Sequence, residues 1–210
     1  QTNATMFSCG RGDRDVNAAE KLSVGFNSNG ELCLNTNNNS FVVPNATVLD
    51  TLWHHFAVSV LRNSYTNVYI DGLQKLQLSS SKIGGMASDS IALGSCRYTD
   101  SVLVSGKYNY IKKQEQYFNG ALDEIRIWNS ALTADNVRLD MHSRLVGNEI
   151  GLIAYYPFEE TTTGSIAAYS LKDYARKKVV YAKSNALETA NTSGIKIPRT
   201  KEDVSYSYTA

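Results

Sequence analysis

The side chains of this chain that could break a covalent bond are its carboxylic acids, because a pair of carboxyl groups can cleave a glycosidic bond. The two groups must lie about 5 to 9.5 Å apart on one surface, which two acids at alternate positions of a β-strand achieve. Asp123-Glu124 and Glu159-Glu160 are adjacent in the sequence instead. Adjacent strand residues point to opposite faces, so neither pair can share a substrate. The spacing predicts a protein that is not an enzyme, although acids from different strands could still converge.

Two further patterns could carry chemistry. Asp13 and Asp15 occupy alternate positions, but the segment around them is typical of a loop. His54 and His55 could be metal ligands or bases. Because they are adjacent in a predicted strand, His54 lies on the apolar face with Phe56 and His55 lies on the other face. The two rings cannot bind one ion, and we expect both histidines to have structural roles.

Tyrosine is the most frequent aromatic residue, with 13 Tyr against 6 Phe and 2 Trp. Several tyrosines fall in residues 95–118, a segment that is long for a connection in a β-sandwich and has a hairpin signal at Gly106-Lys107. Tyrosine side chains stack on ligands and hydrogen-bond to them, but they also cover the edges of sandwiches. We expect this segment to bind a saccharide or a protein. The predicted ligand-binding residues are Arg97, Tyr98, Asp100, Tyr108, Asn109, Tyr110 and Tyr117.

The elements that must position these side chains read as strands. Short segments rich in β-branched and aromatic residues recur about every ten residues, and clusters of Asn, Gly, Ser and Asp separate them. Asn27-Ser28-Asn29-Gly30 and Asp71-Gly72 predict two tight turns. Thr133 predicts the N-cap of a short helix that ends near His142. The predicted strands are 22–26, 31–35, 54–60, 67–70, 73–78, 90–93, 120–128, 178–182 and 195–197.

The composition excludes several classes of protein. With 42% apolar and 20% charged residues and a net charge of +1, the chain is globular and has no basic footprint for nucleic acid or anionic lipid. No uncharged apolar run approaches the roughly 18 residues that a membrane helix needs. Cys9, Cys33 and Cys96 are odd in number and lack a C-x-x-C spacing. This argues against a disulfide framework and a structural zinc site.

Three stretches carry a family resemblance. They are W-H-H-F-A-V-S-V at 53–60 with V-Y-I-D-G at 68–72, F-N-G-A-L-D-E-I-R-I-W-N at 118–129 with A-L-T at 131–133, and G-L-I-A-Y-Y-P-F-E at 151–159. In this order they resemble the laminin G-like group of the concanavalin A-like lectin/glucanase jelly rolls. The resemblance implies an all-β fold, a two-sheet antiparallel jelly-roll sandwich with one short helix.

The resemblance also implies a domain organisation. A laminin G-like jelly roll is expected over residues 1–147, without the opening strands that usually precede the segment resembling residues 5–8. Residues 148–210 either complete the sandwich or begin a following module. About 60 residues would form only a marginal domain alone, which favours completion of the sandwich.

Asp123 is the candidate metal ligand. It has the same parity as Ile125 and Ile127 in a predicted strand, which places a carboxylate on the core-facing side, where an uncompensated charge is costly. Turn amides could satisfy it by hydrogen bonding. The resemblance suggests instead a structural Ca²⁺ held by Asp123 and backbone carbonyls. The opposite face carries either a platform for a sugar or packing residues: Glu124, Arg126 and Trp128.

The expected function is that of a non-catalytic binding module in a larger extracellular or surface-displayed protein, of bacterial type. Its expected partners are a carbohydrate or a protein surface, together with other modules of the same polypeptide. Two alternatives remain at this point: a glycan-active hydrolase or lyase domain of the same superfold, and a structural spacer. Fold analogy cannot choose among them, because one architecture carries all three roles.

Overall fold

The computed structural model describes residues 4–10, 22–36, 39–83, 90–158, 170–175 and 178–181. Nearly all regular structure in these ranges is antiparallel strand, with one α-helix, which confirms the predicted all-β class. The chain divides into two compact units, residues 1–118 and 119–210. The predicted strand at 195–197 and the acid pairs at 13/15 and 159/160 lie outside the described residues.

The described residues of the first unit form ten strands. They are β1 (Ala4–Gly10), β2 (Leu22–Phe26), β3 (Glu31–Thr36), β4 (Ser40–Thr47), β5 (Phe56–Val60), β6 (Tyr65–Ile70), β7 (Leu73–Ser79), β8 (Ser90–Leu93), β9 (Cys96–Val104) and β10 (Lys107–Glu115). One sheet has the order β4-β3-β2-β1-β8, a second has the order β5-β6-β7, and β9 pairs with β10.

Tight turns form where the sequence predicts them. Gly30 has a φ of 72°, and the side-chain oxygen of Asn27 accepts hydrogen bonds from the backbone of Asn29 and Glu31 at 2.9 and 3.0 Å. Asp71 and Gly72 have φ values of 51° and 73°, as the two central residues of a type I′ turn require. These two turns set the register of β2 with β3 and of β6 with β7.

The core of the first unit lies between the two larger sheets. Phe26 of β2 and Phe56 of β5 meet edge to face, with ring centroids 5.7 Å apart, and Phe118 stacks on Phe26 at 6.3 Å. Residues from both sheets are almost fully buried, as a sandwich requires. The largest of these in the first unit are Tyr69, Leu32, Leu34, Val43 and Val68.

Two β-bulges lie in the edge strands β4 and β7. In β4, residues 43–46 lie opposite a single residue of β3, because Val42 pairs with Cys33 and Thr47 pairs with Glu31. In β7, Lys75 is the extra residue between Gln74 and Leu76. Bulges bend a strand and redirect a side chain out of the regular alternation, so neither position could be assigned to a face from sequence parity.

The second unit contains a short helix and two strand pairs. Its elements are β11 (Ile125–Trp128), α1 (Ala134–Asp140), β12 (Leu152–Tyr156), β13 (Ser170–Asp173) and β14 (Lys178–Tyr181). The predicted N-cap is confirmed, since Thr133 accepts a hydrogen bond from the backbone N–H of Asn136 at 3.2 Å. The predicted strand 120–128 is wrong in its first half. Glu124 has a φ of 53°, which a strand does not allow, so β11 begins only at Ile125.

The C-terminal part of the chain joins the second unit through backbone hydrogen bonds. β12 pairs with β11, so this ladder spans the predicted division at residues 147 and 148, which itself stays a prediction. The Tyr155 N–H donates to the Asp173 carboxylate at 3.1 Å, and the Tyr174 N–H donates to the Tyr155 carbonyl at 2.9 Å. In the described ranges, no helix has both the length and the apolar character to cross a membrane.

Candidate functional site

A cavity of about 190 Å³ opens at the edge of the first unit, between β4 and the β6–β7 turn. We call it the His54 cavity. Its walls combine backbone from β4 with charged side chains from the second sheet, so it offers both donors and acceptors. The lining residues are Asn45, Ala46, Thr47, Val48, His54, Ile70, Asp71, Leu73 and Lys75.

Irregular backbone builds this cavity. Asn45 and Asp71 both have a positive φ, 52° and 51°, which is uncommon for residues other than glycine. Asn45 lies in the β4 bulge, Asp71 in the type I′ turn, and Lys75 is the extra residue of the β7 bulge. Such strained or bulged positions are often found at binding sites. Three independent departures from regular sheet geometry therefore direct side chains to one small space.

His54 joins the two loops that border the cavity. Its Nδ1 lies 2.9 Å from the Asp71 carboxylate and its Nε2 lies 3.0 Å from the Asp50 carboxylate. Carboxylates only accept hydrogen bonds, so both contacts are hydrogen bonds when each ring nitrogen carries a proton, which is the cationic form of the imidazole. The other Asp71 oxygen accepts the backbone N–H of His55 at 2.9 Å. We call His54, Asp50 and Asp71 the His54 cluster.

The pKa values of this cluster follow from those contacts. The hydrogen bond that His54 donates to Asp71 raises the pKa of His54 above its usual value, and the Asp50 carboxylate adds to this, while partial burial opposes both. The Leu52 N–H, followed by His54, lowers the pKa of Asp50. The two shifts favour the charged forms of Asp50 and His54.

Exposed apolar side chains line the cavity or lie near its residues in the sequence. Trp53 is 59% exposed and immediately precedes His54, and Leu73, which lines the cavity, is 56% exposed. Leu49 and Leu52 in the same loop are also exposed. An exposed Trp beside polar groups is a feature of binding surfaces, because its ring is apolar while its N–H still needs a partner.

The Tyr-rich segment forms a regular hairpin. β9 and β10 pair along their whole length, and Ser105 and Gly106 form the turn with φ values of 50° and 77°, so the segment is a β-ribbon and not a loop. Tyr108 and Asn109 are exposed, and Tyr117, after β10, pairs with Thr5 in an isolated bridge. For the other predicted ligand residues the structure describes only the backbone: Arg97, Tyr98, Asp100 and Tyr110. Ligand binding by this hairpin stays a prediction.

Asp123 lies just before β11 and not inside a strand, so the strand parity that predicts its core-facing position does not apply to it. Its carboxylate accepts the backbone N–H of Glu124 at 2.9 Å, one of the two roles that the sequence left open. Among the described residues, no three His, Cys, Asp or Glu side chains converge as in a metal site. Calcium at Asp123 would thus need backbone carbonyls for most of its ligands. The calcium site stays a prediction.

Arg126 forms a second polar cluster, which lies within the second unit. Its guanidinium contacts the Glu124 carboxylate at 2.6 Å and lies 5.7 Å from the centre of the Tyr155 ring. The Tyr155 hydroxyl donates to Glu124 at 3.0 Å. Burial, followed by the Glu124 charge, raises the pKa of Tyr155 far above its usual value. We call Arg126, Glu124 and Tyr155 the Arg126 cluster.

The Arg126 cluster is a packing element. The side chain of Arg126 is only 9% exposed and that of Glu124 only 17%. Arg126 also donates to the carbonyl of Asp140 at the end of α1, and to the carbonyl of Ser143 at 2.5 Å. A guanidinium with this many protein partners has little left for a ligand. Of the two alternatives for this face, the structure therefore favours packing over a sugar platform.

The cavity residues were not identified as a site from the sequence. His54 was assigned a structural role, which its two carboxylate contacts support, and Asp71 was assigned only to a turn. Asn45 and Lys75 carry no sequence signal, because bulges shift them out of alternation. In the sequence, the position of Trp53 and His54 next to a loop is the one indication of this site.

Comparison with known proteins supports the fold. A family model described as "Concanavalin A-like lectin/glucanases superfamily" matches residues 2–138. A crystal structure described as a "putative carbohydrate binding protein" from Bacteroides ovatus is similar over 86% of this chain, with 14% identity and a TM-score of 0.51. The match covers 53% of that structure, so this chain spans about half of its length. No curated protein matches the chain at a significant level.

Proposed function

Because this chain belongs to the concanavalin A-like lectin/glucanase superfamily, we propose that it is a non-catalytic carbohydrate-binding module whose saccharide occupies the His54 cavity. The observation that carries the proposal is the His54 cavity itself, which is lined by residues at three irregular backbone positions and by His54, the residue that follows the exposed Trp53. Saccharides are bound by this combination of fixed polar groups and an apolar surface. The similar structure from Bacteroides ovatus, named for carbohydrate binding, supports the same class of ligand.

The size of the cavity sets the mode of binding. At about 190 Å³ it is smaller than the roughly 300 to 1,000 Å³ of pockets for drug-sized ligands. We therefore propose that one sugar ring enters the cavity and that the next ring lies over Trp53. This arrangement suits the end or a branch of a polysaccharide that lies outside the cell or at its surface. The module itself would belong to a larger modular protein.

The geometry of the His54 cluster supports a non-catalytic role. Asp50 and Asp71 are the two carboxylates at this site, and His54 bonds to both from opposite nitrogens of its ring. The imidazole thus fills the space where a glycosidic bond would have to lie. A general acid also needs a raised pKa, whereas the Leu52 N–H and His54 lower the pKa of Asp50.

The test measures glycan binding by calorimetry for the full chain and two variants, Trp53→Ala and Tyr108→Ala. Tyr108 is a matched control, since it is 65% exposed and lies in the hairpin where the sequence predicts binding. We expect Trp53→Ala to weaken binding about tenfold or more, as for the loss of an aromatic hot spot, and Tyr108→Ala to bind like the native chain.

Each contrary result would contradict one element of the proposal: the location of the site, the class of ligand or the absence of catalysis. If Tyr108→Ala loses binding and Trp53→Ala does not, the ligand site is the hairpin and the cavity assignment is wrong. If a broad panel of glycans shows no binding, the carbohydrate function is wrong and the spacer role is favoured. Release of new reducing ends from a bound polysaccharide would contradict the non-catalytic assignment.

A further inference from the structure

The segment that carries Trp53 is held in place by few contacts. It joins β4 to β5 without regular secondary structure, and we call its residues 49–53 the Trp53 loop. All residues of the loop are exposed. In the described part of the chain, the side-chain hydrogen bonds of this loop are those of Asp50, whose Oδ1 accepts the Leu52 N–H at 3.0 Å and lies 3.0 Å from Nε2 of His54. The order of the loop therefore depends on the contact between Asp50 and His54.

The two carboxylates that His54 contacts are anchored differently. Asp71 is fixed to the second sheet, because its N–H donates to the His55 carbonyl at 2.9 Å and its carboxylate accepts the His55 N–H at 2.9 Å. The other hydrogen bond of Asp50, from the Leu52 N–H, stays within the Trp53 loop. His54 thus links the loop to the β6–β7 turn.

This link requires two protons on one ring. Nδ1 of His54 lies 2.9 Å from Asp71, and Nε2 lies 3.0 Å from Asp50. A neutral imidazole has a single N–H and can donate to only one carboxylate, so the other contact would place a nitrogen lone pair against an oxygen that only accepts. Because Asp71 is anchored and Asp50 is not, Asp50 is the partner that a neutral His54 releases.

Two negative groups and one positive group surround His54. Asp50 and Asp71 contact it, Lys75 of β7 lines the same cavity, and His55 is the next residue in the chain, while β4 and β5 contain no charged residue. The hydrogen bond to Asp71 raises the pKa of His54 above its ordinary 6.5, partial burial opposes this rise, and the contact with Asp50 adds to it. The proton is therefore lost above pH 6.5.

We propose that His54 is a pH-sensitive clamp on the Trp53 loop, which holds the loop while both ring nitrogens carry a proton and releases it when one proton passes to solvent. The clamp depends on the geometry of the loop and not on the identity of a ligand. Together with the proposed function, it makes sugar binding over Trp53 weaker as pH rises, since a released loop must be ordered again when the sugar binds.

The first experiment follows the clamp in the full chain without a ligand, from pH 5 to 9. Heteronuclear NMR of the imidazole rings reports which nitrogens of His54 carry a proton. We expect both to be protonated at low pH and only Nδ1 at high pH, with a midpoint above 6.5. In Trp128→Phe, where Trp53 is the one remaining tryptophan, acrylamide quenching of fluorescence should increase through the same midpoint. The NMR measurement needs no substitution.

Two histidine variants in this background separate the clamp from other titrations. His54→Gln should quench equally at every pH, because no group is left at this position to lose a proton. The matched control is His142→Gln, which removes an exposed histidine of the second unit and should keep the native pH dependence. A His54 ring with one proton over the whole range, or quenching of Trp53 that does not change with pH in the native sequence, would overturn the clamp.

The second experiment measures binding by calorimetry at pH 6 and 9, with tetrasaccharides of glucose, galactose, mannose and xylose. These sugars have no group that titrates in this range, so any change comes from the protein. We expect binding to weaken about fivefold at the higher pH, the upper end for a partly exposed ion pair, and to change less in His54→Gln. Equal affinity at both pH values would overturn the control of binding by the clamp. If none of the four binds while His54 and Trp53 titrate together, the clamp is supported and the proposed function is contradicted.

Discussion

The His54 cluster and the Arg126 cluster place similar chemistry in two different environments. Each joins a cation to carboxylate groups at hydrogen-bond distance. In the His54 cluster, Asp50 and Asp71 are about half exposed, whereas Glu124 in the Arg126 cluster is 17% exposed. The two clusters therefore differ in how far their carboxylates are exposed to solvent.

The number of protein partners explains the difference. The guanidinium of Arg126 is shared between a carboxylate, two backbone carbonyls and the face of Tyr155. His54 also uses both its nitrogens, but its partners open onto the His54 cavity, where Lys75 has no partner in the described part of the chain. Removing a member of each cluster should therefore have different consequences.

The largest effect is expected for Arg126→Met. The substitution leaves Glu124 as a buried charge without its cation and frees the two backbone carbonyls that accept from Arg126. We therefore expect the unfolding free energy of the second unit to fall by about 3 to 5 kcal/mol. Denaturant unfolding followed by the fluorescence of Trp128 in β11 measures it. A loss below about 1 kcal/mol would show that Glu124 is effectively solvated and that the contrast between the clusters is false.

A smaller loss of unfolding free energy is expected for His54→Gln. Asp50 and Asp71 regain water when the imidazole is removed, because both are about half exposed. We expect the first unit to lose about 1 kcal/mol, the scale of a typical hydrogen bond or partly exposed ion pair. Denaturant unfolding followed by the fluorescence of Trp53 provides the measurement. If the unfolding free energy fell as much as for Arg126→Met, the two clusters would not differ in their contribution to stability.

The pH dependence of stability sharpens the comparison further. Because Asp71 and Asp50 raise the pKa of His54, its contribution is complete below the unfolded value of 6.5 and is lost as pH rises through the folded pKa. The pKa of Asp50 is lowered, so its contribution is complete above 3.8 and is lost as pH falls through the lower folded value.

The His54 cluster should therefore stabilise the first unit most between about pH 4 and 6.5. The measurement is the difference in unfolding free energy between the native chain and His54→Gln from pH 4 to 9. We expect this difference to shrink above pH 6.5. A difference that stays constant over the whole range would contradict the protonated form of His54 in the cluster.

The smallest effect is expected for Arg138→Met, which is a matched control for Arg126→Met. Arg138 pairs with Asp135 at 2.7 Å on the exposed side of α1, where the two side chains are 51% and 85% exposed. Such surface pairs contribute about 0 to 0.5 kcal/mol. A loss of more than about 1 kcal/mol in the same unfolding assay would mean that exposure does not control the strength of these pairs.

Much of the fold could be predicted from local patterns. The hairpin turns at Asn27 and Asp71, the N-cap at Thr133 and the hairpin at Gly106 all depend on residues a few positions apart. The strand before Ile125 was predicted wrongly, because the side chain of Asp123 bonds the Glu124 N–H and that residue takes a left-handed conformation. A local side-chain contact there overrides the alternating pattern.

The sequence alone determined the all-β class, the tight turns and the family of this protein, because these follow from the alternation of apolar residues and from a few short motifs. Only the tertiary structure brought the residues of the His54 cavity together. Asn45, Asp71 and Lys75 are far apart in the chain, and bulges and a turn bring them to one cavity. Likewise the burial that distinguishes Arg126 from His54 depends on what packs over each side chain, and no local pattern records that.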